Sequence, residues 1–189
     1  MARNDHHVSD TATIRLLASP ARQEIVDTLE ALGGEASVAE LAAELGRPAD
    51  SLYYHLRLLV RGRVVDEIAG NGDGRRYRSR ARTRTRLAYK PGATANAVAV
   101  ERVAGSLLRI AGRDFAAAIA RRDVVVDGAL RELWASRLKG WVGDAELAEI
   151  NRLLERLAAL LHGRRSARRH RLVSLAWVLA PLRERTRSG

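Results

Sequence analysis

Apolar positions in the first third of the chain recur every three or four residues, in short blocks separated by turn residues. Ile14, Leu17 and Ala18 share one face of a short helix over 11–19. Pro20 opens a second helix, with Ile25, Val26, Leu29 and Leu32 as its stripe and Gly33-Gly34 as its stop. Val38, Leu41, Ala42 and Leu45 predict a third. Ser37 stands ahead of it as N-cap and Glu40 three residues later, the capping-box spacing. Gly46 follows where the chain needs positive φ, and Pro48 opens a fourth helix over 49–60 with Leu52, Leu56 and Leu59 inward. The period then drops to two. Residues 64–69 read as a strand, Asn71-Gly72-Asp73-Gly74 as a hairpin turn, and 75–80 as the returning strand.

The second half is less regular. A helix over 94–121 carries Val100, Val103, Ala104, Leu107, Leu108, Ala111, Phe115 and Ile119 on a broad apolar face, and Tyr89-Lys90-Pro91-Gly92 ahead of it reads as a domain boundary. Residues 128–141 fit a helix through Leu130, Leu133, Trp134, Leu138 and Trp141, or a strand through Leu130, Trp134 and Leu138, with a slight preference for the strand. Residues 144–161 form a strong helical stripe from Leu147 to Leu161, capped by Asp144. Residues 172–179 read as a strand stopped by Pro181, which needs partners from 86–89 or 128–141. The expected fold is mainly α with small β (α+β): an N-terminal winged helix-turn-helix, then a helical C-terminal domain with a small antiparallel sheet. The expected division is a disordered tail at 1–10, a DNA-binding domain at 11–92, a dimerisation and effector domain at 93–182, and a tail at 183–189.

The fourth helix carries the chemistry. Opposite its leucine stripe stand Asp50, Tyr54, Arg57 and Arg61, flanked by Ser51 and Tyr53. A face of hydrogen-bonding, aromatic and basic side chains is what a helix in a DNA major groove presents, with Arg suited to guanine and Asp to cytosine N4. Beyond it, Arg76, Arg78, Arg80, Arg82, Arg84 and Arg86 occupy every second position, and on an extended chain they share a face. Such a ladder neutralises phosphates; it equally keeps an edge strand soluble. At the wing, phosphate or minor-groove contact by Arg75, Arg76 and Arg78 is the favoured reading.

The order of four helices and a hairpin, with its motifs, resembles the ArsR family of bacterial repressors. LLASPARQEIVDTL resembles that family's LADPTRLRIL opening, SVAELAAELGRPADSLYYHLRLL its SVGELAEALGLSQSTVSHHLKVL, and GRVVDEIAGNGDGRRYR its GLVRSRREGRRVYYR wing. The likeness covers 12–80. It implies a homodimeric repressor reading duplex DNA through Ser37, Asp50, Ser51, Tyr53, Tyr54, Arg57, Arg75, Arg76 and Arg78. It also implies a dimer interface on flanking helices, for which Val100, Val103, Leu107 and Ala111 are the candidates, with burial in the chain's own core as the alternative. Arg47 departs from the pattern where a hydrophobe plugs the turn, as does Pro48 where Ser caps the recognition helix. The metal-sensing cysteine pair is missing, so that activity is not implied.

Composition adjusts this picture. The chain of 189 residues has no cysteine, which excludes disulfides and thiolate metal sites. No apolar run reaches membrane-spanning length and no leader is visible, so a cytoplasmic protein without membrane contact is expected. Net charge is +11, yet residues 1–80 carry −1 and residues 81–189 carry +12. That split supports an alternative, a winged-helix protein- or RNA-binding module whose Arg-rich C-terminal half carries the interaction. No catalytic constellation, metal-ligand spacing or cofactor motif stands out, so neither catalysis nor a cofactor is expected. His55, on the flank of the fourth helix, reads as a packed histidine. Trp134, Trp141 and Trp177 read as core anchors, or as the lining of a pocket for a small-molecule effector.

Overall fold

The computed structural model describes residues 7–8, 10–70, 74–80, 86–87, 89–90, 92–163 and 165–182. Among them the chain is mostly helical with a small sheet, and the α+β class holds.

The first helices form where the stripes place them. Helix α1 (Thr11–Leu17) is capped by the Asp10 carboxylate, which accepts from the amides of Ala12 and Thr13, and α2 (Pro20–Ala31) starts on Pro20. Helix α3 (Val38–Leu45) has the full capping box. The Ser37 hydroxyl accepts from the Glu40 amide at 3.2 Å, and the Ser37 amide donates to Glu40 Oε2 at 2.7 Å. The helix ends on Gly46 at φ 61°, the left-handed conformation that a Cβ would oppose. Helix α4 (Ala49–Arg61) follows at once.

Two antiparallel strands, β3 (Val65–Ala69) and β4 (Arg75–Ser79), form the wing, with Val65 opposite Ser79 and Ala69 opposite Arg75. The residues at its tip, 71–73, lie outside the described ones. A third strand is an addition to the sequence reading: β2 (Glu35–Ser37) pairs antiparallel with β4, giving the order β2-β4-β3. It is three residues long, too short for an alternation to declare it. A further departure concerns the supposed tail at 1–10. Its β1 (His7–Val8) pairs parallel with β5 (Arg86–Leu87), so this part of the tail is tied to the chain after the wing.

One core holds these elements. Ile14, Ile25, Leu29, Leu41, Leu52, Leu56, Leu59, Val65 and Tyr77 are almost wholly buried in it. Tyr77 on β4 points inward, so its neighbours Arg76 and Arg78 share the opposite face of the strand.

The core does not stop at residue 92. Helix α5 (Thr94–Ile119) buries Asn96, Ala99, Val103, Ser106 and Ile110 along one stripe, and Ala99 and Val103 join the same cluster as Ile14 and Leu17. The buried stripe is rotated from the expected one and meets it at Val103. Among the dimer candidates, Val103 is enclosed in the protomer's own core, and Val100 and Leu107 lean against that core.

Beyond α5 regular structure thins. Helix α6 (Asp144–Leu161) forms as its stripe predicts, with Gly143 rather than Asp144 at the cap, where the Gly143 amide donates to Glu146 Oε2 at 2.9 Å. Residues 128–142 and 172–179 adopt neither helix nor strand. The antiparallel sheet expected in the second half is therefore absent there, and the antiparallel sheet of the described residues is the wing's. Among the described residues these apolar runs have no ladder partner, and a lone strand without one is not stable. The ladder residues Arg82 and Arg84 and the tail at 183–189 lie outside the described residues.

Candidate nucleic-acid interface

Helix α4 sorts its side chains as its period demands. Leu52, Leu56 and Leu59 are buried, each 1% exposed or less, while Asp50, Ser51, Tyr53, Tyr54, Arg57 and Arg61 face solvent. Tyr53 and Tyr54 are 41% and 59% exposed, unusual for large aromatic side chains in a chain with so few. Tyr54 meets the His55 ring edge-on, with centroids 5.3 Å apart. Arg57 makes no hydrogen bond or ion pair among the described residues, so its five donors are available to a ligand. Asp50 lies in the first turn, where a carboxylate also favours the helix dipole. Ser51 is partly committed: its hydroxyl donates to the Pro48 carbonyl at 2.7 Å.

The two departures at the turn now have a physical account. Arg47 does not plug the turn with an apolar group. Its guanidinium reaches back to Glu24 on α2 at 2.7 Å, and the same carboxylate holds Arg113 of α5 at 2.6 Å. Glu24 is only 11% exposed, and pairing raises the pKa of Arg113. One carboxylate thus ties α2, the turn before the recognition helix, and α5. Pro48 cannot cap through its side chain, and none does so.

Beside this helix stands the wing, whose arginines are differently placed. The Glu35 carboxylate on β2 takes Arg76 Nε at 3.0 Å and Arg78 through Nε and Nη2 at 3.1 and 2.9 Å. Arg76 also reaches Glu40 at 3.2 Å. The bonds from Arg78 and Arg76 depress the Glu35 carboxyl; those of the capping box, then the charge of Arg76, depress that of Glu40. Register explains the contact: Arg78 lies opposite Glu35 and Arg76 opposite Ser37. Arg80 approaches Asp66 at 3.5 Å and Arg75 approaches Glu67 at 3.4 Å, with Arg75 the most exposed of the four.

The proposed contact residues thus divide. Asp50, Ser51, Tyr53, Tyr54 and Arg57 share the outer surface of α4, and Arg75 stands at the distal end of β4. Ser37 is used as a helix cap, and Arg76 and Arg78 are partly neutralised by Glu35. Sequence reasoning missed Glu35 and Glu24. Neither carries a local signal: β2 is too short to show an alternation, and Glu24 meets its arginines only in the folded chain.

A family model described as a helix-turn-helix domain matches residues 17–68. The chain contains a helix-turn-helix domain. The match runs from the end of α1 into β3 and covers the whole α3–turn–α4 unit. It accords with a DNA-binding regulator at that level of description. No curated protein matches the chain. Among the described residues, no helix is long and apolar enough to cross a membrane.

Proposed function

We propose that this protein is a sequence-specific transcriptional repressor that binds duplex DNA as a homodimer and works in the cytoplasm. The observation that carries the reading is the outer face of α4, where Tyr53, Tyr54, Asp50 and an Arg57 without a partner among the described residues project together from a helix whose other face is locked into the core. In the major groove, Arg57 would bond guanine O6 and N7, Asp50 would accept from cytosine N4, and the tyrosines would reach base edges and phosphates. The wing would lie along the backbone, with Arg75 foremost. Two protomers about a two-fold axis would occupy half-sites about 34 Å apart.

In this reading residues 11–92 bind DNA and residues 93–182 dimerise and receive an effector, with α5 belonging to both. A small molecule bound by the second half would act by changing the spacing of the two recognition helices. The test is binding of the full chain to a duplex from upstream of its own gene, with random competitor and a salt series. A complex that survives competitor, at one dimer per site, supports the reading, and transcription from that duplex distinguishes repression from activation. Binding that competitor removes equally well sinks it, and binding to RNA instead favours the Arg-rich alternative.

A further inference from the structure

The second half of the chain is built like a core with nothing inside it. Every buried apolar residue among the described ones lies at or before Ile110. From Ile119 onward, eighteen large apolar side chains among the described residues are exposed, against five before it. Helix α6 buries none of its residues, although Leu147, Ile150, Leu154, Leu157 and Leu161 follow the three-four spacing of a heptad seam. The flanking segments carry Trp134 at 71% and Trp141 at 87% exposure on backbone that pairs with no strand.

The surface of the whole chain agrees. A folded monomer of 20.8 kDa leaves about 9,000 Å² accessible. This chain leaves 14509 Å². An obligate dimer covers on the order of 1,000–2,500 Å² of each subunit. The surplus is ample for that.

We propose that the apolar face of residues 121–182 is covered by the same segment of a second copy of this chain. The claim rests on the homodimer reading above and deepens it by placing the interface. Self-association is favoured over a foreign partner on two grounds. A heptad seam of leucine and isoleucine complements an identical seam about a two-fold axis. The segment also holds charge of both signs in separate blocks, −2 on α6 and +5 over residues 162–171, which can face each other across a two-fold axis. Within one chain the extended runs are joined by polar ties, such as Arg171 to Glu132 at 3.3 Å, while their apolar side chains stay open.

All three tryptophans of the chain lie in this segment, so its burial can be read directly. The experiment is a concentration series of the full chain, following mass by sedimentation and tryptophan emission together. The expected result is a doubling of mass accompanied by a shift of emission to shorter wavelength. In Leu157→Asp, within the seam, the dimer should dissociate about 30-fold more readily or worse, as for an interface hot spot, with the helical signal of the first half retained. A dimer whose tryptophans stay exposed, or one that Leu157→Asp leaves intact, overturns this inference and spares the homodimer reading. A monomer at all concentrations overturns both. With exposed tryptophans it would leave the face to a different partner, and with shielded ones it would mean that the segment folds back on its own chain.

Discussion

Helix α4 and the wing both present arginine on the surface proposed to meet DNA, yet they hold it in opposite ways. Arg57 on α4 stands without a partner among the described residues, whereas Arg76 and Arg78 on β4 converge on Glu35. A guanidinium already bonded to a carboxylate must give up that bond, or share it, before it meets a phosphate. A free one spends its full donor set on the ligand. On the proposed reading, the count of arginines therefore overstates what the wing would contribute to binding, and Arg57 would outweigh Arg76 and Arg78 together.

The sharpest way to break this comparison is Arg57→Ala. Loss of a bidentate base contact should cost about 1–3 kcal/mol against operator and relax specificity at one base pair, with affinity for random DNA little changed. Competition binding on operator and scrambled duplexes measures it. If both duplexes bind as in the parent, α4 does not read bases through Arg57.

Next in size is Glu35→Gln, which removes the counter-charge of the wing. Arg78 would then face phosphate without its carboxylate, and Arg76 with Glu40 alone. Non-specific affinity should rise, and the slope of log K against log salt should steepen by about one or two. In the parent, Arg76→Ala should weaken binding to all sequences alike, and by less than it does in the Glu35→Gln background. An unchanged salt slope in Glu35→Gln would mean that the wing does not approach the backbone. The same carboxylate predicts an acid dependence. Its folded pKa lies below the ordinary value, so the network stabilises fully above about pH 4.5. That contribution is lost as pH falls through the depressed folded value. A thermal melt across that range should show a shallower acid decline in Glu35→Gln than in the parent.

The contrast also marks how far the sequence could be read. Helices α1 to α4, the capping box at Ser37 and the left-handed turn at Gly46 were legible because each rests on contacts within a few residues. The outward face of α4 followed from the same period. The pairing of Arg76 and Arg78 was not legible, because it depends on β2, a strand too short to show a period, and on residues some forty positions apart. The same is true of Arg47, whose departure from the family pattern makes sense only once Glu24 is beside it. In the second half the stripes of α5 and α6 were visible. Which side of α5 is buried was not, because Asn96 and Ser106 occupy buried positions that polarity would place outside. The expected strands there failed for want of partners, which no local pattern supplies.

The smallest effect concerns the seam between α4 and its support. His55 keeps its Nδ1 buried without a hydrogen-bond partner. Burial first, then Arg22 of α2 and Arg47 of the turn, lower its pKa below the ordinary histidine value. The unfolded chain takes up this proton near pH 6.5, before the folded chain does. Stability from this group is therefore complete above that pH and is lost as pH falls toward the depressed folded value. His55→Leu removes both the titration and the orphaned nitrogen. The drop in melting temperature between pH 7.5 and 5.5 should be smaller in His55→Leu than in the parent. Equal drops would assign that pH dependence to other groups, and would mean that the two arginines facing His55 do not hold it neutral. In Arg113→Ala, Arg47 keeps Glu24 to itself, and the depression of His55 should change only slightly.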